Sequence, residues 1–188
     1  MTLLRPRLVF VLSILSLVVP SSAEEATQQT IAIAGGALEF EAPSEWPEVT
    51  PGSRILEKEL SVQPPEGTEA APARLTLMSA GGSVQANLAR WVGQFKGTEG
   101  GADRSAAETE ELKPDGMPAT LIDLSGTYME SAGGPFGPKT PRPNYRMVAA
   151  IVETGGSGNY FFKLVGPEQT VGPAAEEFKA MIGSIRKK

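Results

Sequence analysis

Residues 145–166 read YRMVAAIVETGGSGNYFFKLVG, and their reading decides the fold. Two runs rich in β-branched and aromatic residues, YRMVAAIVE and GNYFFKLVG, flank Thr154-Gly155-Gly156-Ser157, a length and composition that predict a β-hairpin. Pairing Glu153 with Gly158 sets Ile151 opposite Tyr160, Ala149 opposite Phe162 and Met147 opposite Leu164 on one face. Val148, Ala150, Val152, Phe161 and Val165 fall on the other. Both faces are then apolar, and a sheet buried on both sides needs a covering layer on each.

Two amphipathic segments can supply those layers. Ser83 suits an N-cap, and Val84, Leu88, Trp91, Val92 and Phe95 recur at helical spacing on one face, with Gln85, Asn87, Arg90 and Gln94 facing away. The second segment is PAAEEFKAMIGSIRKK (residues 173–188). Pro173 fits a first helical position, Glu176 and Glu177 suit the positive end of the helix, and Phe178, Met181, Ile182 and Ile185 form the apolar stripe.

Farther out, TIAIAGGALEFEAP (residues 30–43) predicts a hairpin around Gly35-Gly36, with Trp46 as a lid at its end. RILEKELSV (54–62) and ARLTLMSA (73–80) predict strands joined by a Pro- and Gly-rich surface link. Residues 108–113 and PATLIDLSGTYMES (118–131) predict two more, the longer one interrupted by Gly126. The order of strand pairs, helix, meander and helix predicts a three-layer α+β sandwich: a central antiparallel sheet covered by a mid-chain helix and a C-terminal helix.

The leading LEFEAPSEW hairpin (38–46), the mid-chain helix, the long-stranded meander and the final helix ending in FKAMIGSI (178–185) together resemble the PsbP-type fold. That fold is known from the extrinsic P subunit of photosystem II and from exported bacterial proteins without assigned function. The resemblance covers most of residues 24–188 and implies a PsbP-like α+β domain there. The photosynthetic members assist a manganese cluster through their N-terminal part; no matching residues stand there in this chain, so that role is not carried over.

The first residues, MTLLRPRLVFVLSILSLVVPSSAEEA, carry Arg5 and Arg7, then an apolar and serine run from Leu8 to Val19, then Ser21 and Ala23 in the positions a signal peptidase reads. This predicts a Sec-type signal peptide, residues 1–23, and a single exported domain, 24–188, in the periplasm or outside the cell. The run is 12 residues long, against the roughly 20 that span a bilayer, so no stable membrane span is expected after cleavage. With Arg5 and Arg7 gone, 17 basic residues become 15 against 22 acidic, a net charge of −7. Such a balance repels a phosphate backbone and excludes nucleic acid as a partner. The chain has no cysteine, so its core must hold it without disulfides.

No histidine and no cysteine means no ordinary general base near neutral pH, no thiol nucleophile and no soft metal ligand. None of the glycine pairs is followed by the Lys-Ser/Thr of a phosphate loop. No cofactor and no metal site is expected, and the spacing of Glu108, Glu110, Glu111 and Asp115 fits no calcium loop. Asp123 is the one acid inside an apolar strand. It reads as a partner for Arg146 or Lys163, as a solvent-facing side chain, or as half of a carboxylate pair. The hairpin register above places Arg146 and Lys163 on one face, where together they could neutralise Asp123 or hold a ligand carboxylate.

The stretch GGPFGPKTPRP (133–143) predicts a long irregular connection between two strands. It reads either as an idle loop or as a docking loop carrying Phe136 between Lys139 and Arg142. The function these residues imply is an exported, non-catalytic binding or accessory module for a protein or small ligand of the cell envelope. The alternative is a hydrolase that uses carboxylates alone, such as a glycosidase.

Overall fold

The computed structural model describes residues 27–96, 107–131, 137–155 and 158–188. Its elements in chain order are β1 (Gln28–Ile33), β2 (Leu38–Pro43), β3 (Lys58–Val62), β4 (Ala73–Ala80), α1 (Val84–Val92), β5 (Phe95–Lys96), β6 (Glu108–Leu112), β7 (Ala119–Ser131), β8 (Lys139–Glu153), β9 (Asn159–Pro167), α2 (Glu168–Gly183) and β10 (Arg186–Lys187). Seven strands form one antiparallel sheet in the order β3-β4-β9-β8-β7-β5, with β6 also pairing β7; β1, β2 and β10 form a second, three-stranded sheet. The mixed α+β class is as expected. The second sheet's third strand was not, because SIRKK reads as helix until Arg186 is seen to pair with Glu39 across β2 and to bridge Glu39 and Glu41 at 2.8 Å each.

Each face of the large sheet buries its own apolar cluster. On one side Phe40, Phe162 and Phe178 are fully buried with Leu164, Val171 and Ile182; Phe40 meets Phe162 edge-on at 5.6 Å between ring centroids. Trp46 is part of this core rather than a lid over it. On the other side Trp91 of α1 meets Phe161 edge-on at 5.4 Å, above Met147, Ala149 and Ile151. Ser83 caps α1 by accepting the Ala86 amide at 3.2 Å. Asn87, expected to face away, is buried and donates to the carbonyls of Gly81 and Ser83, closing the helix entrance.

The central hairpin is one residue out of the expected register. Glu153 stands opposite Asn159, not Gly158, so Ile151 faces Phe161 and Ala149 faces Lys163. The turn is the cause. Gly155 and Gly158 adopt φ of 74° and 81°, a region open mainly to glycine. Thr154 donates through its amide (3.2 Å) and its hydroxyl (2.6 Å) to the Gly158 carbonyl, so Gly158 belongs to the turn rather than to β9. A slip of one residue moves a side chain to the opposite face, and it separates Arg146 from Lys163.

Two further boundaries differ. Helix α2 begins at Glu168, with Pro173 inside it. Its first turn is held by tertiary contacts: Thr170 is buried and donates to the Ala71 carbonyl at 2.9 Å. That anchoring carries the helix past a proline that removes one backbone donor. Lys139 and Arg142, expected in an irregular loop, lie in β8, which pairs back to β7 as far as Ser131 opposite Lys139. Pairing of β8 with β9 stops at Tyr145 opposite Pro167, so no strand among the described residues pairs the other edge of 139–143, where Pro141 and Pro143 are tolerated. The connection is thereby shortened to residues 132–138. Phe136, like residues 1–26, where a signal peptide is expected, lies outside the described residues.

Candidate functional site

The register sends the two central cations into different surroundings. Arg146 lies on the α2 face. Asp123 on β7 stands opposite Val148, one step along the same face, so the carboxylate and the guanidinium meet diagonally across the β7–β8 ladder. Arg146 Nε donates to Asp123 Oδ1 at 2.9 Å and Nη2 to Oδ2 at 2.6 Å, a two-pronged fork; Nη1 reaches Glu168 Oε1 at 3.3 Å. Ser125 donates to the other Glu168 oxygen at 3.2 Å. Both oxygens of Asp123 are thus engaged by one cation. The hydrogen bonds that Arg146 donates to Asp123, more than any other contact, push the Arg146 pKa further above its ordinary value.

This triad borders a groove of about 440 Å³ between edge strand β6 and helix α2. Leu121 and Val148 form its apolar floor. Glu108, Thr109 and Glu110 stand on one bank, Ala175, Glu176 and Lys179 on the other, and a Lys179–Glu110 ion pair at 2.7 Å spans them. Four carboxylates therefore line one groove, but Asp123 and Glu110 are each held by a cation. Of the acids considered for calcium, Glu111 accepts from Thr120 at 2.9 Å and Asp115 from the Lys187 amide at 2.9 Å, so they serve separate local contacts. No group of three or more Asp, Glu, His or Cys that could hold a metal ion is found among the described residues.

Lys163 lies on the opposite, α1 face. Its Nζ donates to Gln94 Oε1 at 2.6 Å and to the Tyr128 hydroxyl at 3.2 Å, sitting at the hydroxyl end of that ring, 5.0 Å from its centroid. Tyr128 packs between Phe95 (5.4 Å) and a near-parallel Tyr145 (6.2 Å, 6° between planes). Burial, then the charges of Arg74 and Arg90, pull the Lys163 pKa down to about 8. Burial, then Glu130, pushes the Tyr128 phenol up. Lys139 and Arg142 do not join either cluster; they project from the β7–β8 arm, where Arg142 pairs with Glu130 at 2.8 Å. Sequence reasoning missed Glu168, hidden by a helix start set too late, and Gln94, Tyr128 and Tyr145; strand alternation puts Tyr128 on the α1 face with Ile122 and Leu124, and Tyr145 there with Met147.

No protein-family model matches the chain, and no curated protein matches it. Among solved structures, the solution structure of cyanobacterial PsbP from Synechocystis sp. PCC 6803 superposes with a TM-score of 0.52 at 12% identity, over 92% of this chain and 99% of that one. The chain has a PsbP-like fold. A Bacteroides thetaiotaomicron crystal structure gives 0.40 at 12% identity over 85% of this chain and 48% of that one. A protein of unknown function from Pseudomonas aeruginosa gives 0.42 at 10% identity over 86% and 97%. At such identities the PsbP-like fold is a statement of architecture, and architecture does not transfer function. No helix among the described residues is long and apolar enough to cross a membrane.

Proposed function

We propose that the chain is an exported, non-catalytic binding or accessory module, delivered by the signal peptide of residues 1–23, whose partner docks in the groove between β6 and α2. The observation that carries this reading is the state of the groove's carboxylates. Asp123 gives both oxygens to Arg146, and Glu110 is bridged to Lys179. A glycosidase needs one carboxyl group free to hand over a proton and another free to attack or to activate water. Two of the groove's four acids, the strand acid Asp123 and Glu110, are tied to cations, which suits the groove to recognition more than to proton transfer by that pair. Its fixed charges and apolar floor can align a polar segment of a partner, and a partner's own charges can exchange with the exposed Lys179–Glu110 pair.

Photo-crosslinking in the native envelope tests this. A crosslinkable residue at exposed Glu108 or Glu176, one on each bank, is expected to yield adducts of one discrete mass; the same residue at Glu66, in the turn beyond β3, is expected to yield none. Adducts from Glu66 as readily as from Glu108 and Glu176 would refute docking in the groove. Glycoside hydrolysis that disappears in Asp123→Asn would establish the hydrolase instead.

A further inference from the structure

Lys163 departs from the rule the other half-buried cations follow. Lys58, Arg146, Lys179 and Arg186 each have a carboxylate within 4 Å; Lys163 alone among the half-buried cations of the described residues has none. Among the described residues its partners are two neutral oxygens, Gln94 Oε1 and the Tyr128 hydroxyl, which engage two of the three ammonium donors. Both partners are fixed. The Gln94 carbonyl accepts the Met129 amide at 2.7 Å, which ties the segment after α1 to β7, and Tyr128 is held between two rings.

We propose that this place on the α1 face is a binding site for a small organic oxyanion, a carboxylate or phosphate ester, whose charged group meets Lys163 Nζ and whose apolar body lies along the ring row of Phe95, Tyr128 and Tyr145. Charge complementarity identifies the occupant. Arg74 and Arg90 add positive potential at the amine. Arg74 is offset in part by Glu59, at 2.7 Å, whereas Arg90 donates to the neutral Asn87 amide oxygen and pairs with no acid among the described residues. On a chain with net charge −5, a positive spot beside half-buried aromatic surface is matched by an anion with a flat body. The site faces away from the β6–α2 groove, so this inference stands or falls separately from the docking reading.

Linkage supplies a signature that a merely structural lysine lacks. The groups facing the amine are Arg74 from β4, Arg90 from α1 and Tyr128 from β7, with Tyr145 and Glu130 behind Tyr128. Burial and the two arginines favour the neutral amine; a bound oxyanion favours the ammonium. Binding above pH 8 therefore takes up a proton, and affinity falls as pH rises further.

Titrating the ¹⁵N-labelled chain with phenyl phosphate and, separately, benzoate tests the site, and the two probes distinguish phosphate from carboxylate. Saturable shifts are expected at Phe95, Tyr128 and Lys163. Lys163→Met should weaken binding about tenfold, the value of one charge-assisted hydrogen bond, and abolish proton uptake at pH 8.5. Arg90→Met should weaken it by about threefold through charge alone, and Lys179→Met on the other face should leave it unchanged. Dispersed amide spectra certify that each variant is folded, and Arg90→Met on the helix surface keeps the test open if Lys163→Met does not fold. No saturable shift with either probe, or undiminished affinity in both Lys163→Met and Arg90→Met, overturns the proposal.

Discussion

Breaking the fork between Arg146 and Asp123 measures how far the central charges are shielded from water, and whether they couple only within one face. Arg146→Met keeps the apolar stem but removes two charge-assisted hydrogen bonds to Asp123 and a longer one to Glu168. An exposed ion pair contributes about 0.2–1 kcal/mol, whereas orphaning one member of a buried pair costs about 3–5 kcal/mol. The side chains of Arg146 and Asp123 are 24% and 30% exposed, between those limits. Arg146→Met should therefore cost about 2 kcal/mol, and a double-mutant cycle with Asp123→Ala should return a coupling of about 1.5 kcal/mol. The Glu168 contact, on a carboxylate 45% exposed, should couple to Arg146 by only about 0.5 kcal/mol. Asp123 and Lys163 lie on opposite faces, so their cycle should be additive within about 0.3 kcal/mol. Urea denaturation followed by the fluorescence of buried Trp46 and Trp91 reads all three cycles. An Asp123–Arg146 coupling that vanishes in 0.5 M NaCl, as screening at roughly 4 Å would produce for an exposed pair, or an Asp123–Lys163 coupling of similar size, would refute the reasoning.

Three further outcomes are expected. Lys163 has its pKa lowered from 10.5 to about 8, so below pH 8 the native state carries a cost on the order of 3 kcal/mol that fades as pH rises towards 10.5. Stability relative to Lys163→Met should therefore improve across that window in urea titrations, and a pH-independent difference would contradict it. Gly166→Ala should destabilise by about 1–3 kcal/mol through overpacking, because a Cβ there would meet the Ala73 Cβ at 2.5 Å; a neutral thermal midpoint would show that β4 and β9 can separate. Trp91→Ala should cost about 3–5 kcal/mol as a buried large-to-small change, and Gln94→Ala about 1 kcal/mol through the lost Lys163 contact, both by chemical denaturation. A silent Gln94→Ala would place Lys163 elsewhere.

Hydrophobic period and capping made most of the architecture legible, since Ser83 with Leu88 and Trp91 can only be an amphipathic helix start and ARLTLMSA matches β4 end to end. The register of the β8–β9 hairpin was not legible. Both strands are apolar on both faces, so neither face penalises a slip of one residue, and the turn hydrogen bonds of Thr154 with Gly158 decided it. That single residue controls the candidate site: it returns Arg146 to Asp123 and leaves Lys163 to Gln94 and Tyr128. Pro173 misled for a related reason, because local preference placed a helix start where the buried Thr170 had already fixed an earlier one. The prolines of the 139–143 segment disfavour a strand in general but not on an edge that no strand among the described residues pairs.

The separation of the two central cations, Arg146 closed in a fork on the α2 face and Lys163 without an acid on the α1 face, is tested most directly by the titration of the lysine side chains. Following the ¹³Cε signals of a lysine-labelled chain from pH 6 to 12 should show one lysine, lost from the spectrum in Lys163→Met, titrating near 8. Its midpoint should be unmoved by Asp123→Ala. A Lys163 signal that titrates near the ordinary 10.5, or one that shifts when Asp123 is removed, would mean that the amine is solvated or shares a face with that acid, and would contradict the register on which both proposed sites rest.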